Sequence, residues 1–213
     1  MTPFDPLSPP GPPREVPASS LLPAGDLVAH LAAGGAALFP TDTLPALAAT
    51  VETASLLWAL KARPADKPLI LMGAHLNQLV AALGVPWRQE WLVQAQCCWP
   101  GAITLVLPIE GVITTALHPR GRTLGLRVPA CPRAQDFLLR SGPLATTSAN
   151  RSGEPAASNA AEAAHRFPDL PLLGPLPWPE ASGRASSVMA WQTEGGWLPL
   201  RLGAGMVQEP GSP

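Results

Sequence analysis

The sequence predicts one domain of the α/β (α+β) class, built on a mixed sheet. Three observations lead there. Short apolar, strand-like runs are interspersed irregularly with segments of helical periodicity. No internal repeat, heptad pattern or second core divides the chain. Its 213 residues are 46% hydrophobic and 14% charged, which is long enough for one well-buried domain and too apolar for a disordered one.

Residues 1–23 carry a large share of the 28 prolines, including Pro9-Pro10-Gly11-Pro12-Pro13. Proline removes a backbone donor and fixes φ, so this segment is expected to be an extended, flexible tail. The folded domain is expected over residues 24–206, with residues 207–213 a short second tail. Asp26 is placed to cap a helix running to Ala33, closed by Gly34-Gly35. Ala36 to Pro40 reads as a buried strand delivering Thr41-Asp42-Thr43 at its end. Thr53 to Ala62 is helical, with Leu56, Leu57 and Leu60 on one face. Pro68 to Gly73 is a short strand. Leu76 to Leu83 and Trp87 to Cys98 follow as helices. Ile103 to Pro108 and Thr123 to Val128 are strands, the second with Leu124, Leu126 and Val128 alternating with other residues. Arg133 to Ser141 is a helix, Leu144 to Thr147 a strand, and Ala160 to Phe167 a short helix. Pro168 to Pro179 reads as a long surface loop. Ser187 to Trp191 and Trp197 to Leu202 close the sheet.

A formal net charge of −1 argues against broad nonspecific nucleic-acid binding, which needs a basic face, yet leaves room for a local cationic pocket. Cys97, Cys98 and Cys131 are the only cysteines. An odd number with two adjacent fits neither a disulfide framework nor a zinc site, and free thiols suit a reducing cytoplasm. No apolar run reaches the roughly 20 residues of a membrane span, and the N-terminus lacks the layout of a secretory signal.

Positive charge is concentrated at one place: Lys61, Arg63 and Lys67, out of 14 Lys and Arg in the whole chain, flank a proline-bounded strand. Guanidinium and ammonium groups there suit phosphate oxygens; a solvated basic loop is the alternative. Thr41-Asp42-Thr43 sits at a strand end, where α/β proteins commonly bind ligands, but Thr and Asp also cap and turn chains. Arg127, on a strand of alternating apolar residues, must meet solvent, a carboxylate of the protein or a ligand. Thr146 to Gly153 gathers hydroxyls, an amide and exposed backbone N–H groups after a strand, a loop suited to phosphate or ribose. It is not a P-loop. His30, His75, His118 and His165 show no metal-ligand spacing, and no nucleophile–base pairing stands out.

In series, these runs resemble the YrdC-type threonylcarbamoyl-AMP synthase family. The matching segments are Phe39-Pro40-Thr41-Asp42-Thr43, Lys61 to Ile70, Trp99-Pro100-Gly101-Ala102-Ile103-Thr104, Leu126-Arg127-Val128-Pro129 and Thr147-Ser148-Ala149-Asn150-Arg151-Ser152-Gly153. They extend from about Leu27 to Gly203 and match the short, single-domain form. The resemblance implies a YrdC-like domain whose twisted mixed sheet surrounds a large cationic cavity. It implies synthesis of L-threonylcarbamoyladenylate from L-threonine, bicarbonate and ATP with Mg²⁺, releasing pyrophosphate. The product would serve N6-threonylcarbamoyladenosine formation in tRNA through separate tRNA threonylcarbamoyl-transferase proteins. Carried over by position, Lys61, Arg63, Lys67, Thr123, Asn150 and Arg201 would bind ATP. Thr41, Arg127, Ser148 and Ser186 would bind L-threonine, Arg127 taking the carboxylate, with Ser187 the rival of Ser186. No protein nucleophile and no resident metal are implied. The chain departs from the family at Leu44-Pro45-Ala46-Leu47, where an aromatic and a glycine are usual, and at Met72, where some members carry histidine. The alternative is an accessory protein of the same fold that binds double-stranded RNA, tRNA or the ribosome without the reaction; a carbamoyl-transferring relative of hydrogenase maturation would need further domains.

Overall fold

Runs of two to five apolar residues bounded by Pro, Gly or polar turns are too short for helices, and they pair side by side. A computed structural model describes residues 16–64 and 67–206, and every structural statement below concerns those residues. A 3-10 turn (Ala18–Ser20) leads into β1 (Leu21–Leu22). Then come α1 (Ala24–Ala32), β2 (Ala37–Phe39), β3 (Ala46–Ala49), α2 (Ser55–Lys61), β4 (Ile70–Met72), α3 (Leu76–Leu83), α4 (Gln89–Cys98) and β5 (Ile103–Leu107). The second half adds α5 (Val112–Leu117), β6 (Leu124–Arg127), α6 (Pro132–Ser141), β7 (Leu144–Ser148), α7 (Ala160–Arg166), β8 (Leu172–Leu173), β9 (Ser187–Trp191) and β10 (Trp197–Arg201). All ten strands form one mixed sheet in the order β1-β8-β2-β3-β7-β4-β6-β5-β9-β10.

Strand side chains alternate between faces, and the register divides the sheet into two unlike surfaces. On one face Leu47, Ala49, Leu71, Ala145, Leu124, Leu126, Leu105, Leu107 and Met189 join Leu57, Trp58, Leu79 and Trp91 in the main core. On the other, Ala46, Ala48, Met72 and Leu144 pack beneath α1 and α6 through Leu27, Leu31, Phe137 and Leu138. Phe137 meets Phe39 with ring centroids 5.3 Å apart. The rest of this second face, including Thr104, Gly125, Arg127 and Ser148, lines a cavity.

Helix ends follow local chemistry. α6 starts with Pro132 in its first turn, where a missing N–H costs nothing, and buries Ala134, Phe137 and Leu138 at helical spacing. His75 caps α3 by accepting the Gln78 N–H, and Gly84 at φ 61° ends it. At the far edge, β10 leaves Leu198 and Leu200 exposed, as is Leu202 just after it. Pro199 and a register shift between Pro199 and Arg201 blunt that edge against adding another strand.

The fold departs from the sequence-based expectation at four places. Leu21 and Leu22 pair in parallel with β8, so ordered structure begins before residue 24; flanking prolines are tolerated because β1 is an edge strand. The expected tails over residues 1–15 and 207–213 lie outside the described residues. β8 lies within the segment expected to be a loop, two residues being too few to show alternation. β3 and α5 carry no Val/Ile-rich or capped signature. Asp26 lies in the first turn of α1, and Pro23 occupies the cap.

Adjacent residues of α6 make a clean packing test. Leu138 is fully buried and Leu139 is 54% exposed. Leu138→Ala is expected to cost about 3 kcal/mol and lower Tm by roughly 6–12 °C. Leu139→Ala should stay within about 0.5 kcal/mol, as read by thermal melts.

Candidate functional site

Alternation decides which side chains reach the open part of the sheet. In Leu124-Gly125-Leu126-Arg127 the leucines enter the core, while Gly125 and Arg127 face the cavity. Thr104 and Val106 of β5, Ile70 and Met72 of β4, and Thr146 and Ser148 of β7 lie on the same side. The cavity encloses about 520 Å³ and is also lined by Thr41, Thr43, Arg63, His118, Thr123, Ser186 and Arg201. Three arginines and one histidine line it, with no Asp or Glu among the described lining residues. Gly125 keeps its floor low: a Cβ there would lie 2.8 Å from Ile70 Cγ2. A larger cavity of about 850 Å³ shares Thr41 and Pro45 with it. That one carries Glu180 as its only charged lining residue among those described, so the smaller cavity is the better anion site.

Arg127 is 4% exposed and is held by three acceptors from two segments. Its Nε donates to Gly101 O (3.1 Å), Nη1 to Thr43 Oγ1 (2.7 Å) and Nη2 to Asp42 Oδ1 (2.7 Å). Burial pulls the guanidinium below the usual arginine range, while Asp42 acts in the opposite direction. Of the partners open to it on sequence grounds, a carboxylate of the protein is present, and the side chain also stands in the cavity wall.

Thr41 also lines the cavity, yet its hydroxyl is fully engaged. Oγ1 donates to Leu44 O (2.7 Å) and accepts the Thr43 N–H (3.1 Å). Its contact with Thr43 Oγ1 (3.0 Å) must then be donated by Thr43, since a hydroxyl has one proton.

Lys61 and Arg63, two residues apart, part company. Ala62 between them adopts φ 48°, ψ 47°, a left-handed turn that non-glycine residues seldom take. Arg63 lines the cavity, donating from Nη2 to Pro68 O (2.9 Å) and from Nη1 to Thr147 Oγ1 (3.5 Å). Lys61, 2% exposed, turns behind the wall. Its ammonium donates to Ser148 O (2.7 Å), Asn150 O (2.5 Å) and Asn150 Oδ1 (2.8 Å), using all three protons. Asn150 Oδ1 also accepts from Ser148 Oγ (2.6 Å), and its Nδ2 donates to Arg151 O and Glu154 O. Lys61 and Asn150 thus clamp the turn after β7, and neither lines the cavity. Burial, and secondarily the Arg63 charge, lower the Lys61 pKa to about 8. Lys67 is exposed, outside the cavity lining, with its carbonyl accepting from Trp58 Nε1 (2.8 Å). Ala65 and Asp66 of the same motif lie outside the described residues.

Register resolves the choice between adjacent serines. Ser187 pairs with Ile103 on the core side and donates to Gly205 O. Ser186 lies on the cavity side, with its hydroxyl 2.9 Å from Thr104 Oγ1. In β10 the shift after Pro199 sets Arg201 opposite Val188, which is a cavity residue; a bulge of this kind re-aims a side chain. Arg201 then donates through Nε and Nη2 to Ser186 O (3.1 and 2.9 Å). Thr123 lines the cavity beside His118, whose Nδ1 is 2.9 Å from Thr123 O.

Seven of the ten sequence-predicted residues therefore share one cavity: Thr41, Arg63, Thr123, Arg127, Ser148, Ser186 and Arg201. Lys61, Lys67 and Asn150 lie outside its lining. Thr43, Thr104, Gly125 and His118 line it and were not among the predicted residues; Thr104, alternating with Ile103 and Leu105, was the most legible of these. Of the positions that depart from the family pattern, Leu44, Pro45, Ala46 and Met72 line it as well, while Leu47 lies in the core.

A single α/β domain here presents guanidinium groups and hydroxyls from one uncovered sheet face, a surface whose chemistry suits anions. The chain belongs to the Sua5/YciO/YrdC family, whose model, described as "Telomere recombination", matches residues 29–203. Among curated relatives, the threonylcarbamoyl-AMP synthase of Bacillus subtilis is 36% identical over 136 residues, covering 60% of this chain and 38% of that protein. That of Pyrococcus abyssi is 37% identical over 134 residues, covering 61% and 39%. The chain thus spans less than half the length of these two relatives. A crystal structure of P. abyssi Sua5 complexed with L-threonine superposes with a TM-score of 0.74 at 29% identity, covering 85% of this chain and 55% of that one. Escherichia coli YciO shares the fold, with a TM-score of 0.69 at 20% identity over 87% and 91% of the two chains.

The Lys61 clamp gives a signed prediction. Its pKa of about 8 in the folded protein lies below the ordinary 10.5, so between those values the unfolded chain binds more protons and stability from this group rises with pH. Side-chain NMR should show the Lys61 ammonium titrating near pH 8. The stability advantage of wild type over Lys61→Met should widen from pH 8 to 10.5.

Proposed function

We propose that this protein synthesises L-threonylcarbamoyladenylate from L-threonine, bicarbonate and ATP, releasing pyrophosphate. The observation that carries this reading is the convergence of Arg63, Arg127 and Arg201 with Ser148, Ser186 and Thr123 in one cavity that has no carboxylate among its described lining residues. The relatives named threonylcarbamoyl-AMP synthase and the P. abyssi Sua5 structure complexed with L-threonine support it.

In this reading Arg127 anchors the threonine carboxylate, with Ser148 and Ser186 beside the amino acid. Thr41 contributes the turn that carries Thr43 to Arg127, its own hydroxyl being spent within the turn. Arg63 and Arg201 face the phosphates, and Thr123 lies along the nucleotide. Lys61 and Asn150 serve ATP indirectly by holding the Ser148–Asn150 turn in place, and Lys67 adds positive charge outside the cavity.

The threonine amine and bicarbonate condense to a carbamate with loss of water. A carbamate oxygen then attacks the α-phosphorus of ATP as the bond to the pyrophosphate oxygen breaks. Alignment and neutralisation of charge suffice for such a displacement, which is consistent with a cavity of guanidinium and hydroxyl groups. Mg²⁺ would enter with ATP, coordinated chiefly by phosphate oxygens; no cluster of three His, Cys, Asp or Glu side chains suited to a metal exists among the described residues. The product would pass to tRNA threonylcarbamoyl-transferase proteins acting on tRNA in the cytoplasm. No helix among the described residues is long and apolar enough to cross a membrane.

Purified protein given L-threonine, bicarbonate, ATP and Mg²⁺ should release pyrophosphate only when threonine is present. Arg63→Ala should lower kcat/KM by the equivalent of about 2–3 kcal/mol, the worth of a charge-assisted phosphate contact, with Tm little changed. Threonine-independent release, or an Arg63→Ala enzyme at wild-type rate, would contradict the assignment. Gly125→Val, which raises a side chain from the floor, should weaken substrate binding while the protein still folds, as read by calorimetry and thermal melts.

A further inference from the structure

A carboxylate lies behind the cavity wall, against its most deeply held guanidinium. Asp42 is not a lining residue of either cavity. Its Oδ1 accepts from Arg127 Nη2 (2.7 Å) and from the Ala130 N–H (3.0 Å). Its own backbone is fixed too: Asp42 O accepts the Ser182 N–H and Thr43 O the Gly183 N–H, each at 3.0 Å. Turning the carboxylate into the cavity would break its contacts to Arg127 and Ala130.

We propose that Asp42 is a positioning residue that makes the site select a substrate with a free carboxylate over its neutral amide. This rests on the reading of Arg127 as the anchor for the threonine carboxylate. A guanidinium has five N–H donors, and three are engaged here: Nε by Gly101 O, one on Nη1 by Thr43 and one on Nη2 by Asp42. One proton is left on each terminal nitrogen, and a carboxylate has an acceptor oxygen for each. An amide offers one acceptor oxygen to that pair and sets its NH₂ against the other donor. Asp42 acts by fixing the plane of the fork and by sustaining its charge in a buried setting, where an unpaired cation is costly. Because it approaches from outside the lining, it does not compete for the ligand's side of the fork.

The test compares wild type, Asp42→Asn and Asp42→Glu in binding L-threonine, L-threoninamide and ATP, by calorimetry. NMR of the Arg127 guanidinium is recorded in parallel without ligand. Wild type should favour threonine over its amide by at least about tenfold, as charge-assisted contacts do. Asp42→Asn should lose most of that preference through weaker threonine binding, while ATP affinity stays within about twofold and Asp42→Glu recovers part of the preference. In the NMR spectra, rotation of the Arg127 terminal groups should be hindered in wild type and freed in Asp42→Asn. An Asp42→Asn protein that keeps the full preference, or that loses ATP and threonine equally, would overturn the proposal. A wild type that binds both amino-acid forms alike would refute the carboxylate anchor itself. In that case unchanged Arg127 rotation in Asp42→Asn would separately refute the positioning role.

Discussion

Everything at the site follows from an asymmetry of coverage. A ten-stranded sheet alternates its side chains between two faces, and both must be shielded or made polar. Helices and tryptophans cover one face along its length. α1 and α6 cover only one end of the other. On the uncovered remainder the strands supply Thr104, Thr146, Ser148 and Arg127, set among apolar Ile70, Met72, Val106 and Val188. The cavity is thus the part of the sheet that no described helix covers, and the alternation that builds the core also decides which side chains line it.

Hydrogen-bond capacity then sorts that surface into groups that hold the wall and groups that face a ligand. Lys61, Asn150 and the Thr41 hydroxyl have their donors or acceptors filled by neighbouring oxygens and N–H groups. Arg127 keeps two protons after meeting its three partners, and Arg201 is steadied by the Ser186 carbonyl. A basic motif need not deliver all of its charge to one place: a single left-handed residue, Ala62, sends Lys61 to the scaffold and Arg63 to the cavity.

Much of this was legible from residues alone. Leu124-Gly125-Leu126-Arg127 announces a strand with a charged residue on its non-core side, and the run from Thr146 to Gly153 announces a polar turn after a strand. What the sequence could not show depends on register and local dihedrals. The left-handed Ala62 carries no glycine to mark it. Ser186 and Ser187 are equivalent until β9 pairs with β5 and assigns one to each face. Arg201 reaches the cavity because a bulge after Pro199 shifts its parity, and β8 is too short to display a period. Recognition of the family motifs anticipated the grouping of seven residues, but motif position does not tell a ligand contact from a clamp behind it.

A crystal structure with L-threonine and a non-hydrolysable ATP analogue bound tests the central claim most directly. The account predicts both molecules against the uncovered sheet face, the carboxylate on the Arg127 fork and the phosphates within reach of Arg63 and Arg201. Density for either ligand elsewhere, with these guanidinium groups unchanged and empty-handed, would contradict it.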